Sequence, residues 1–248
     1  MAERNSALVG TAIIAGAVVL ATYLFGNAIV RTRTGGNEIK VTGSARKDID
    51  SDFIAWTGKV AYRASNLNDG FKSVKGSVVT LVEYLKTKGL SDKEIVIGAV
   101  QTTPLFEQQQ NPNYDNQSSF RIIKGYDVSQ AVTVRSAQVE LVEKVSRDST
   151  DLISKGVPLE SSNPQFFYTK IGDVKREILG NAAEDARKRA QEIASKSGGS
   201  LGEVRGARMS PLQITPRYDF EIYDAGYNDL SSKEKSITAV VTMTFGVH

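Results

Sequence analysis

The chain has 248 residues, with 31 Lys and Arg against 28 Asp and Glu, for a net charge of +3 at neutral pH. That near balance argues against a nucleic-acid surface, which would need a clear excess of Lys and Arg on one face. Cysteine is absent and the one histidine, His248, is the last residue, so disulfides, thiolate nucleophiles and Cys-based metal sites are excluded and a hydrolytic triad lacks its usual base.

The first element is the run Ala7 to Val30, which no charge interrupts. A helix rises about 1.5 Å per residue and a bilayer core is about 30 Å thick, so roughly 20 apolar residues span it. The run is long enough. Its glycines, Gly10, Gly16 and Gly26, would weaken a water-exposed helix but are common in transmembrane ones. A cleaved signal peptide is the competing reading, with Gly26-Asn27-Ala28 as the cleavage site. The stretch exceeds a signal-peptide core, and Arg31 and Arg33 follow it at once, which favours an uncleaved anchor held by membrane lipid through residues 7–30. Flanking charge, counted alone, would put the C-terminal side in the cytoplasm, although large domains translocate largely regardless of it.

Residues 31–37 read as a polar linker, and 38–248 as one α+β domain. Glu38 to Ser44 and Asp52 to Ala64 have strand character, the second alternating through Ile54, Trp56, Val60 and Tyr62. The single Trp is read as core packing. Asn68 or Asp69 can cap a helix over 69–88, with Phe71, Val74, Val78, Val82 and Leu85 as its stripe and Gly89 as its stop. A strand from Ile95 to Thr103 ends near Pro104. Residues 107–119, rich in Asn and Gln, read as a loop before a strand from Phe120 to Arg135. A second helix is expected over 136–154, ended by Gly156 and Pro158, then a strand at Phe166-Phe167-Tyr168.

The third helix, about 173–196, carries Val174, Ile178, Ala182, Ala186, Ala190 and Ala194 on one face, with Ile193 alongside. Alanine at every fourth position lets such a helix lie close against a sheet or another helix. Arg187, Lys188 and Arg189 form a solvated basic face. The chain closes with a strand, the loop 216–235, and a strand in which Ile237, Ala239, Val241, Met243, Phe245 and Val247 alternate with threonines. The expected order is β-β-α-β-β-α-β-α-β-β, an antiparallel sheet with about three helices on one face.

No motif marks a catalytic site. Gly198, Gly199 and Gly202 follow a helix instead of preceding one, so they read as a cap and turn, not a phosphate cradle. No catalytic residue, metal, cofactor or small-molecule substrate is assigned, and an enzyme is not expected. The loop 216–235 is too apolar for a free linker. It packs on its own domain or meets a neighbouring subunit, and Tyr218, Phe220, Tyr223 and Tyr227 are the candidate oligomer contacts.

Four segments, 39–45, 125–135, 181–202 and 237–245, together resemble the SIMPL-domain family. Ile39-Lys40-Val41-Thr42-Gly43-Ser44-Ala45 is similar to its opening strand, and Gly125-Tyr126-Asp127-Val128-Ser129 running into Val132-Thr133-Val134-Arg135 to its central strand. Asn181 to Ala190 with Gly199, Leu201 and Gly202 resembles its helix and turn, and Ile237 to Phe245 its closing strand. The resemblance implies a bacterial envelope protein with its domain on the periplasmic or outer side; with the apolar run 7–30 as its anchor, the chain is expected to be a single-pass inner-membrane protein with that domain on the periplasmic side. The resemblance further implies self-assembly into a ring- or cage-like homo-oligomer and a link to envelope or oxidative stress, with no catalytic residues to carry over. A monomeric binding module for another envelope protein is the alternative.

Overall fold

The computed structural model describes residues 16–23, 37–110, 119–221 and 225–248. The chain is α+β as expected, but among the described residues its strands form two five-stranded sheets instead of one. In order, the elements are helix α1 (16–23), strands β1 (Glu38–Asp50) and β2 (Phe53–Ala64), helix α2 (Leu67–Thr87), strands β3 (Ile95–Gln110) and β4 (Ser119–Ser136), and helix α3 (Val139–Asp148). A 3-10 helix (Ser149–Lys155), strands β5 (Leu159–Ser161) and β6 (Gln165–Phe167) and helix α4 (Ile171–Lys196) follow. Strands β7 (Leu201–Met209), β8 (Gln213–Pro216), β9 (Tyr227–Asn228) and β10 (Glu234–Val247) complete the chain.

One sheet has the order β1-β10-β8-β9 with β7 also on β10; the other has β3-β4-β2-β5 with β6 also on β2. Every pairing with a recorded register is antiparallel except β8 with β9. Alternation reports which face of a strand is buried, not which sheet the strand joins, and this is why one sheet was expected.

The described residues divide into two compact units. The first comprises those up to Ala45, Glu177–Pro211 and Ala239–His248; the second, Arg46–Arg176 and Leu212–Thr238. In the first unit β10 pairs with β7 from Val241↔Met209 to Val247↔Leu201. The alanine stripe of α4 is fully buried at Ala182, Ala186, Ala190 and Ala194, whereas Ile193 is exposed. Its close approach meets a strand glycine: a Cβ at Gly43 would stand 2.3 Å from both the Ala182 carbonyl oxygen and the Ala186 nitrogen. Ser44 N donates to Asp185 Oδ2 at 2.9 Å beside this contact. Val41, Ala186, Ala190 and Phe245 form the local core.

In the second unit the core lies between the β2–β4 face and helices α2 and α3, with Ile54, Trp56, Val60, Val128, Val132 and Val134 on the sheet side. Trp56 is buried, and its Nε1 donates to Ser161 Oγ at 3.0 Å, so it is a core residue. Helix α2 begins two residues earlier than expected because Asn66 caps it, its side chain accepting from Asn68 N at 2.8 Å. Its inner face is Val74, Val78, Leu81 and Leu85, and Phe71 is exposed. Gly89 (φ 100°) and Gly156 (φ 84°) stop α2 and the 3-10 helix in the left-handed region.

The polar stretch 107–119 is partly strand. β3 runs through Gln110 and β4 starts at Ser119, with residues 111–118 outside the described residues. Pairing such as Phe106↔Ile123, and the Lys124–Glu107 ion pair at 2.7 Å, extend the ladder past the residues whose own propensity argued for a loop. Pro104 is tolerated because β3 is an edge strand.

Of the apolar run 7–30, residues 16–23 are described. They are helical and exposed, Val18 at 58%, Val19 at 69% and Leu20 at 60%. Among the described residues no helix is long and apolar enough to cross a membrane. The rest of the expected span, the candidate cleavage at Gly26-Asn27-Ala28 and the linker before residue 37 lie outside the described residues.

Candidate interaction surface

The stretch between β8 and β10 belongs to the second unit and is shaped by charge. Along β1 the sequence Arg46-Lys47-Asp48-Ile49-Asp50 puts a cation and two carboxylates at alternate positions, hence on one face of the strand. Arg217 follows β8, where Asp219 N donates to Pro216 O at 3.0 Å to close a turn. Its guanidinium lies 3.0 Å from Glu234 Oε2, 2.8 Å from Asp50 Oδ1 and 3.7 Å from Asp48 Oδ2.

Arg46 adds a second brace. It donates to Asp219 O at 3.0 Å, to Ser236 Oγ at 2.9 Å and, by a short contact, to Arg217 O. The same guanidinium sits 4.4 Å from the centroid of the Phe220 ring, a cation–π contact. Ser236 Oγ in turn donates to Asp48 Oδ1 at 2.6 Å. Arg46 therefore holds the loop by its carbonyls and one of its rings, while Arg217 ties its base to β1 and to the start of β10.

A buried ion pair lies at the far end of the loop. Lys235 is 1% exposed and Asp229 2%, with Nζ 3.3 Å from Oδ2. Lys235 Nζ also donates to the Asp229 carbonyl by a short contact. Ser231 N at 2.9 Å, Ser231 Oγ at 2.6 Å and Ser232 N at 3.0 Å donate to the carboxylate. Burial pushes the Asp229 carboxyl up, but the Ser231 and Ser232 donors and Lys235 outweigh it and hold the carboxyl at about 2. Burial lowers Lys235 from its ordinary value, with Asp229 opposing part of that. A pair taken out of water in this way persists only because donors satisfy the remaining lone pairs.

Tyr218 is 80% exposed and Phe220 75%, both on the braced turn, and Tyr227, on β9, is 42% exposed. Tyr223 lies outside the described residues. The structure thus brings two of the four candidate contacts together, as outward-facing rings on a stretch whose backbone is tied down. The charged braces Arg46, Asp48, Asp50, Arg217, Asp229 and Lys235 were not foreseen. Alternating charge in Arg46–Asp50 was the available signal, but its partners lie about 170 residues along the chain.

Residues 39–245 match the SIMPL family, described as a protein of unknown function (DUF541). The match covers most of the chain, which therefore belongs to that family. The chain is also similar to the 26 kDa periplasmic immunogenic protein of Brucella melitensis biotype 1, 23% identical over 181 residues, covering 72% of this chain and 68% of that protein. The protein of the same description from Brucella abortus (strain S19) is similar to the same extent.

Proposed function

We propose that this chain is a membrane-anchored, non-catalytic protein of the bacterial envelope whose extracytoplasmic body associates with further copies of itself. The carrying observation is the display of Tyr218 and Phe220, 80% and 75% exposed on a turn held by Arg46 and Arg217. Large rings presented on a rigid backbone lose little conformational entropy on binding, and aromatic residues are enriched where proteins meet. The similarity to a protein described as periplasmic supports the location. The charge-free run 7–30, with its exposed apolar helical stretch 16–23, supports the anchor. The absence of cysteine and the single terminal histidine support a role in binding rather than catalysis.

Light scattering of the detergent-extracted full chain tests this reading. The expected protein mass is a multiple of 26.9 kDa. Tyr218→Ser with Phe220→Ser should shift it toward the monomer while circular dichroism stays unchanged. A monodisperse monomer of the unaltered chain overturns the proposal.

A further inference from the structure

We infer that the face of the β3-β4-β2-β5 sheet turned away from its helices is a binding site for a carboxylated saccharide. On β2 and β4, Ile54, Trp56, Val132 and Val134 point into the core, so Ala55, Thr57, Thr133 and Arg135 emerge on the opposite face. The segment 162–169 walls one side, leaving an open cleft of about 800 Å³. That volume falls in the range of small-ligand sites, roughly 300–1,000 Å³.

Charge selects an acid. Two other cations of this β2 face are neutralised: Lys59 by Glu160 at 3.1 Å and Arg63 by Asp127 at 2.9 Å. Asp52, next to the cleft, is engaged by Thr169 N at 2.7 Å and Thr169 Oγ1 at 2.9 Å. Arg135 is exposed, lines the cleft, and has no ion pair among the described residues. A guanidinium in that state offers a planar fork for one carboxylate.

The rest of the lining selects a sugar over a peptide. The carboxamides of Asn163 and Gln165 are exposed and without hydrogen bonds among the described residues. A carboxamide both donates and accepts, as each sugar hydroxyl does. Phe53 and Phe167 meet edge to face at 6.5 Å and 64°, an apolar end wall suited to the C–H face of a pyranose. An extended peptide would want a row of free backbone groups. The floor denies it one, since the β2 backbone is engaged by β4 on one side and by β5 and β6 on the other.

Isothermal titration calorimetry on the full chain, in a detergent without a sugar headgroup, tests the inference. The probes are a hyaluronan tetrasaccharide, neutral cellotetraose, and acetate. The hyaluronan fragment should bind at least tenfold more tightly than either of the others. Arg135→Gln should remove that preference, and Asn163→Ala with Gln165→Ala should weaken the acidic oligosaccharide at least fivefold. Both variants alter exposed side chains, so an unchanged thermal midpoint confirms that they fold. No binding at millimolar concentration, equal affinity for cellotetraose, acetate binding as tightly as the tetrasaccharide, or an unaffected Arg135→Gln variant each overturns the inference.

Discussion

Asp229 and Lys235 sit six positions apart and are withdrawn almost completely from water. Removing one member of such a pair strands the other, at a cost of about 3 kcal/mol or more. Asp229→Ala should therefore lower the urea midpoint by an amount equivalent to about 3 kcal/mol, whereas Asp229→Leu with Lys235→Met should recover much of the loss. The carboxyl also makes an acid-range prediction. Its value of about 2 lies below the ordinary 3.8, so the unfolded chain binds the proton more tightly. Its stabilisation is fully present above the ordinary value and is lost as pH falls toward 2, an effect on the order of 2 kcal/mol.

Glu94 adds to the same window. Ser136 first, then Ser91, donate to its carboxylate and hold it at about 2, below the ordinary 4.5. Urea midpoints measured from pH 6 down to pH 2 should fall steeply. Glu94→Gln and Asp229→Asn should each flatten that slope, and a slope unchanged in both variants would refute the assignment.

At the scale of elements, the α4 alanine stripe and Gly43 form a backbone-to-backbone contact that leaves no room for a methyl group. Gly43→Ala should destabilise by about 2 kcal/mol or more, since the neighbouring atoms are main chain and cannot swing aside. The control is Gly180→Ala on the same helix, where an added Cβ meets nothing within 4 Å. It should be neutral or slightly stabilising, as expected for alanine within a helix. Thermal midpoints that move equally in the two variants would contradict the packing described. The helix side of this contact was legible in the sequence as alanine every fourth residue. Its strand partner was not, because one glycine in a strand says nothing about what approaches it.

For the whole molecule, the absence of cysteine offers a clean test of topology. Glu203→Cys introduces a single thiol at an exposed position of β7. In spheroplasts, a membrane-impermeant maleimide should label it without lysis if the body lies outside the cytoplasm. Labelling that requires lysis would place it inside, the side favoured by the flanking charges alone. The anchor itself is tested by carbonate extraction of membranes: the full chain should stay with the lipid pellet, and a chain lacking residues 7–30 should not.

The α+β class, most of the longer elements and the alanine stripe were written in local periodicity, because burying one face of a helix or strand imposes a repeat that its own residues display. Family membership was similarly legible, in four segments spread along the chain. The partition of strands into two sheets, the extension of β3 and β4 into polar residues, and the ties of Arg46 and Arg217 to the turn bearing Tyr218 and Phe220 were decided by tertiary structure alone. Each of these depends on groups from distant parts of the chain meeting in space. A charged side chain in the sequence does not disclose which partner will neutralise it, and a strand's alternation does not disclose which neighbour will take its hydrogen bonds.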